Sequence, residues 1–388
     1  MLPLPDILSQ GGDRERGPWP RRVIVLAVLA LVAVLVVDHF PRHHGTGVTP
    51  LAVTALPGGP DGVPGPVASW PPRGRVPLNG QRPAWYTPAD GLNTPISGLP
   101  GDLYGYQFAR LAGGWAVQAG GSAGSDCGNC GGDQPRPVYY LADGTIGATP
   151  LGAAALVAPG ATAGSVWLTS YVGGANMNTA AGTAREVAST GRALGRPVLL
   201  PPGYRIDQGT VAGLLLQRMS ADAGPAYRLW RPGGVMRKLP ALLAASARRL
   251  AWEPGCSGRC QVVLLNLATG SRRVVPLPRG GLAANAAFSP DGRYLALQLS
   301  VAEDGSADEL AMRLDVASVT TGALTQMPGS FVSSDAMVGF GWPEGDGVLV
   351  AELSFTSKVQ LASWRLGAAR PAVAKVSPQR TALYLIVG

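Results

Sequence analysis

The side chains best suited to covalent or metal chemistry are four cysteines in two close pairs. Cys127 and Cys130 lie in WAVQAGGSAGSDCGNCGGDQPRPVYYLADG, Trp115 to Gly144; Cys256 and Cys260 lie in LAWEPGCSGRCQVVLLNLATG, Leu250 to Gly270. Three chemistries suit such pairs. Four thiolates ligate zinc when every sulfur lies about 2.3 Å from one ion. A Cys-x-x-Cys pair exchanges electrons when it opens a helix in a βαβ setting. In an oxidising compartment the same pairs close as local disulfides. The choice depends on where the chain resides and what it folds into.

Histidine narrows the catalytic options. All three, His39, His43 and His44, precede residue 45, so the rest of the chain has no imidazole base or ligand. That excludes Ser-His-Asp and Cys-His catalysis and histidine-ligated metals from it. The three histidines themselves read as a polar flank, with loose metal binding as the alternative. Among carboxylates, AEDGSADEL (Ala302 to Leu310) groups Glu303, Asp304, Asp308 and Glu309 without the spacing of an EF-hand, and reads as a solvated hairpin tip. Glu253, Asp291, Glu344 and Asp346 sit beside Pro and Gly and read as turn formers. The glycine-rich stretch Gly120 to Gly132 lacks the Gly-Lys-Ser/Thr ending of a phosphate loop. No cofactor is implied, and no basic-aromatic cluster, zinc finger or RNP pattern points to nucleic acid.

Location is written near the start. Val23 to Val37, VIVLAVLALVAVLVV, is fifteen residues without a polar group. As a helix it spans roughly 22 Å, short of a ~30 Å hydrocarbon core, and Trp19 and Phe40 extend it at the interfaces. A cleavable signal peptide is the alternative, but VVDHFPRHH offers no small-x-small cleavage pair after the run. The expectation is a retained anchor over residues 23–40. Arg14, Arg16, Arg21 and Arg22 hold residues 1–22 in the cytoplasm and place the remainder outside, in an oxidising compartment.

Composition bounds the exterior part. At 46% hydrophobic and 14% charged, the chain can build a sizeable core. Its formal charge is +8, nearly all from arginine, since Lys238, Lys358 and Lys375 are the only lysines. A basic exterior can meet anionic lipid or wall polymer, but solubility and the arginine bias of a GC-rich genome are the favoured account of it. Residues 41–100 carry thirteen prolines and read as an extended linker, with Trp70, Trp85 and Tyr86 suggesting order from about residue 70.

Residues 101–388 are expected to be all-β. Short apolar runs alternate with Gly, Pro, Asp and Asn, and the main helix-like exception is ALLAASARRLA, Ala241 to Ala251. Trp167, Trp230, Trp252, Trp342 and Trp364 fall on expected strands and read as packing residues. Turn glycines recur at Gly144, Gly191, Gly233, Gly270, Gly322 and Gly367, with gaps of 47, 42, 37, 52 and 45 residues. A period of about 40–50 with several strands per unit is the mark of a β-propeller.

FSPDGRYLAL, Phe288 to Leu297, resembles the central motif of TolB-like, or WD40-like, propeller blades: Phe288 ends a strand and Pro290, Asp291 and Gly292 form the turn. Weaker copies are WEPG from Trp252 and WPEGDG from Trp342. Gly-His and Trp-Asp dipeptides are missing, which favours the TolB-like branch, in a membrane-anchored bacterial form of actinobacterial type. Six units are visible. The terminal ALYLIVG, Ala382 to Gly388, reads as a strand that pairs with N-terminal segments such as Arg82 to Tyr86 or Asp102 to Leu111. Seven blades are favoured, with six as the alternative.

On that architecture both cysteine pairs occupy one position in the repeat, three units apart. Two local disulfides then fit better than one shared zinc or a redox centre, which remain the alternatives. The resemblance implies protein contact at the cell envelope: a non-catalytic interaction or scaffolding module that docks a partner on its loop face or central funnel. One rival is a sensor for a small or anionic polymeric ligand. A second is a propeller hydrolase using calcium and carboxylates in the channel.

Overall fold

The computed structural model describes most of residues 76–385. Residues 1–75 and several internal stretches, the longer being 100–105, 120–134, 172–179, 220–225, 303–309, 333–338 and 377–383, lie outside the described residues. The expected anchor at 23–40 and both Cys127 and Cys130 therefore fall outside them. Among the described residues there are strands and no helix. Segments such as SVWLTSY and QVVLLN explain this: β-branched and aromatic side chains suit a pleated surface, and Gly or Pro bounds each run.

Seven antiparallel sheets follow one another along the chain. The first contains β1 (Val76–Asn79), β2 (Ala84–Thr87) and β3 (Leu92–Pro95). The second is β4 (Tyr106–Leu111), β5 (Gly114–Ala119), β6 (Arg136–Ala142) and β7 (Ala148–Ala154). The third is β8 (Leu156–Pro159), β9 (Ser165–Tyr171), β10 (Gly182–Ala188) and β11 (Val198–Leu199). The fourth is β12 (Tyr204–Thr210), β13 (Gly213–Arg218), β14 (Tyr227–Trp230) and β15 (Arg237–Lys238). The fifth is β16 (Ala244–Ala245), β17 (Arg249–Trp252), β18 (Gln261–Asn266) and β19 (Arg272–Pro276). The sixth is β20 (Gly281–Phe288), β21 (Tyr294–Ala302), β22 (Leu310–Ser318) and β23 (Leu324–Gln326), with β24 (Phe331–Val332) added against β22. The seventh is β25 (Phe340–Gly341), β26 (Val348–Phe355), β27 (Lys358–Arg365) and β28 (Ala372–Val376). Finally β29 (Tyr384–Leu385) returns to the first sheet and pairs with β1 at Leu78↔Leu385 and Asn79↔Tyr384.

This is a seven-bladed β-propeller closed by strand exchange between the two ends of the chain. Closure matters physically, because it pairs the edge that β1 would otherwise expose. Among the described residues strands begin at Val76, past the point near residue 70 from which the sequence suggests order. The Arg82–Tyr86 segment does supply the closing blade, through β2. Asp102–Leu111 does not: β4 is the inner strand of the second blade. The helix-like ALLAASARRLA is likewise corrected, since it forms the β16–β17 hairpin, with Ala244↔Ala251 and Ala245↔Leu250 opposed.

The core lies between blades rather than within them. Ala251, Val262, Leu264, Phe288, Leu295 and Leu297 interdigitate between blades five and six. Phe340, Trp342, Leu349 and Trp364 do the same between six and seven. Every tryptophan expected to pack is buried. Two of them repeat one device: Trp230 Nε1–H donates to Gly234 O at 3.1 Å and Trp364 Nε1–H to Ala368 O at 2.9 Å, each clasping the turn that follows. The repeat glycines inside the described residues, Gly191, Gly233, Gly270, Gly322 and Gly367, sit in third-to-fourth strand turns at φ of 79°, 77°, 73°, 78° and 84°. A side chain would strain that backbone, which is why the period is spelled in glycine.

Candidate functional site

Innermost strands of five blades, β4, β8, β12, β16 and β20, enclose a central cavity of about 360 Å³. Its wall combines apolar residues (Phe108, Val157, Pro159, Leu242, Leu243) with a few polar ones: Arg110, Asp207, Gln208, Tyr227 and Asn285. A smaller cavity of about 130 Å³ shares Arg110, Pro159, Gln208 and Ala245 with it and continues toward the first-to-second strand turns, reaching Thr162, Ser246 and Pro290. The two adjoin along that shared wall and together make up a channel lined mainly by inner strands, with Tyr227 contributed by β14.

Asp207 is placed there by a β-bulge. Ile206 opposes Leu216 and Gln208 opposes Leu215, so Asp207 is an extra residue with no cross-strand partner. A bulge re-aims the side chain it carries. A second inner-strand bulge lies in β20, where Ala283 opposes Leu299 and Asn285 opposes Gln298. Asn285 Oδ1 accepts the Ala286 N–H at 2.9 Å, which fixes the side chain beside the cavity.

The charges around this wall differ in how well they are matched. Arg110 is held by both Asp143 oxygens, at 2.7 and 2.9 Å, donates to Gly114 O and Pro343 O, and stacks 4.9 Å from the Trp115 ring centroid. Asp207 has no such match. The ion pairs among the described residues are Arg110–Asp143, Arg293–Asp291 and Arg313–Asp315. Burial pushes the Asp207 carboxyl above the usual carboxylate range, and the charge of Arg205 offsets this only in part. The Arg205 guanidinium is instead engaged by Gln217 Oε1, at 2.9 Å from Nε and 2.5 Å from Nη2. Burial also raises the Tyr227 hydroxyl, with the Asp207 charge as the next cause. Gln208 is tied down, donating to Gly160 O at 3.2 Å and Gly209 O at 2.9 Å.

The residues singled out in the sequence fall elsewhere. Cys256 and Cys260 are joined by a disulfide in the β17–β18 loop, with Cα atoms 4.8 Å apart and Cys260 buried. Joined sulfurs offer no thiolate to a metal. Glu253 Oε2 accepts the Ala283 N–H at 3.0 Å and ties this loop to blade six. Phe288 packs between blades five and six, and Pro290 reaches the narrow end of the channel. Asp291 forms its turn as expected, accepting the Ser289 hydroxyl at 2.7 Å and the Arg293 N–H at 3.0 Å, while Gly292 takes φ of 67°. Burial opposes ionisation of Asp291, but these bonds outweigh it and hold the carboxyl below the usual range. Trp342 begins the equivalent turn of blade seven. Trp252 does not: it ends a second strand, so WEPG lies at the opposite end of its blade from the Pro-Asp-Gly turn.

Asp207 was not singled out, although a signal existed. In YRIDQGT a carboxylate stands inside a strand, between Ile206 and Gln208, where alternation puts a charge against either core or channel.

No protein-family model matches the chain, and no curated protein matches it. Solved structures similar to it include prolyl oligopeptidase B from Galerina marginata, 10% identical with a TM-score of 0.48 over 80% of this chain and 49% of that one. The β-propeller domain of the Trilobed protease from Pyrococcus furiosus is 9% identical, with a TM-score of 0.48 over 76% of this chain and 91% of that one. A TolB protein from Agrobacterium tumefaciens is 12% identical, with a TM-score of 0.33 over 78% of this chain and 88% of that one. The chain spans about half the length of the prolyl oligopeptidase. These likenesses concern the fold alone.

Proposed function

We propose that the chain is a membrane-anchored, extracytoplasmic β-propeller that docks an envelope partner at its central channel and does not catalyse. One observation carries this reading: five inner strands enclose a cavity of about 360 Å³ whose polar groups suit recognition and include no nucleophile–base pair. Two serine hydroxyls near the channel have structural partners. Ser165 donates to Glu186 Oε1 at 2.7 Å and Ser289 to Asp291 Oδ1 at 2.7 Å, and no imidazole exists beyond residue 44.

A calcium-dependent hydrolase fits less well. Calcium takes about six to eight oxygen ligands, several of them carboxylates, and Asp207 is the one carboxylate among the described residues of the larger cavity. An anionic polymer fits less well in the channel for the converse reason, because Arg110 is already neutralised by Asp143. The run Val23–Val37 would hold the protein in the bilayer, and the proline-rich stretch after it would set the reach of the ring.

Photo-cross-linking in cells tests this. A photoreactive residue at Asn285, in the channel wall, is expected to capture one discrete envelope protein. The same residue at Val235, which is 86% exposed on an outer turn of blade four, is expected to capture none. Capture from Val235 alone, or from neither position, overturns the proposal.

A further inference from the structure

The cavity wall holds one charge that makes no ion pair and that Arg205 offsets only in part. Asp207 stands on a bulge, outside the strand register, and makes none of the ion pairs found among the described residues. The other formal charge of the lining, Arg110, is held by Asp143. Partly burying a carboxylate with no ion-pair partner opposes folding, and a cationic ligand would offset that cost.

We infer that the channel is a site for an organic cation, an alkylammonium or guanidinium group, with the Asp207 carboxylate as counter-ion and Asn285 and Tyr227 beside it. This rests on the docking reading above and states the chemistry the docked group presents. Leu242, Leu243 and Val157 supply an apolar wall along which an aliphatic stem lies while its charged end meets Asp207. Tyr227 adds an aromatic ring to the same wall, and such rings attract cations. A bare metal ion is a poorer occupant, because it needs several anionic oxygens where an ammonium needs one plus neutral acceptors. The formal charge of +8 on the whole chain does not prevent this. At physiological ionic strength surface charges are screened beyond about 8 Å, whereas an enclosed carboxylate is screened much less.

The cationic group has two sources, a Lys or Arg side chain on a docked segment or a free amine. Purified full chain is titrated calorimetrically with n-butylammonium chloride, n-butylguanidinium chloride and sodium butyrate against a background of potassium chloride at matched ionic strength. Saturable binding of the two cations and none of butyrate is expected. Asp207→Asn, checked for native near-UV dichroism, is expected to weaken cation binding at least tenfold. Butyrate binding as well as butylammonium overturns the inference in the wild-type protein alone, and so does undiminished cation binding by a folded Asp207→Asn. Acetyl-Ala-Ala-Lys-Ala-Ala-amide and its Gln counterpart separate the sources. A Lys peptide that binds more tightly than butylammonium assigns the cation to a docked segment; butylammonium binding with the peptide excluded assigns it to a free amine. Cation binding without a cross-linked partner would sink the docking reading and keep the site, and the reverse pattern would do the opposite.

Discussion

Trp342 is the pin between blades six and seven, and its removal has a size that the geometry sets. The indole is 2% exposed and packs among Phe340, Ala287, Ala296 and Leu349. It stacks on Tyr294 with centroids 6.1 Å apart, and its Nε1–H donates to Ala287 O at 3.1 Å across the blade boundary. Trp342→Ala removes both packing and bond, and a buried tryptophan truncated in this way costs about 3–5 kcal/mol. Trp342→Phe keeps most of the packing but loses the bond to Ala287 O, which costs about 1 kcal/mol. Urea melts of the purified full chain, followed by far-UV dichroism, give both values from midpoint shifts at a common slope. A cost below about 1 kcal/mol for Trp342→Ala would refute the reasoning, because the blades would then be held together without this residue.

The Asp207 carboxyl is raised in the folded state, so the folded protein binds its proton more tightly than the unfolded chain. Stability from this group therefore falls as pH rises from the ordinary carboxylate range through the raised value. Asp207→Asn should melt higher than wild type at pH 7, with the gap closing below about pH 4, where both side chains are neutral; a variant less stable at pH 7 contradicts this. Groups that act on Asp207 or share its cavity are Arg205, Tyr227 and the neutralised Arg110. Replacing Cys256 and Cys260 together by Ser should cost only about 2 kcal/mol, since so small a loop constrains the unfolded chain little, and should leave the dichroism spectrum unchanged. Gly292→Ala should lower the melting temperature by an amount worth about 1–2 kcal/mol, because the residue holds φ of 67° and an added Cβ would lie 2.8 Å from Arg249 Nη1. Gly292→Asn should cost less, as asparagine tolerates that conformation.

The glycine period and FSPDG carried the architecture, because both record backbone demands that are local to a turn. Closure by a terminal strand was also legible, since ALYLIVG had no partner within its own unit. What failed was non-local. Leu242, Leu243, Leu250 and Ala251 mimic a helical stripe only because β16 and β17 face apolar neighbours from blades four and six, so tertiary packing overrides local periodicity. The segment ending at Leu111 went to the wrong blade because ring closure, not strand propensity, decides which strand is the odd one out. WEPG was placed in the wrong phase because an aromatic followed by Pro and Gly suits turns at either end of a strand. Asp207 escaped notice because its orientation depends on a one-residue slip of β12 against β13, and pairing register is not written in either strand alone.

In the proposed function the propeller acts through its channel. The most direct measurement compares, from cross-linked membranes, the partner retained by wild type and by Asn285→Trp, a substitution that fills the channel from its wall. With the variant's dichroism and melting temperature matching wild type, the partner recovered with wild type is expected to be absent from the variant. Equal recovery by both would show that docking takes place elsewhere on the ring and would contradict the central claim.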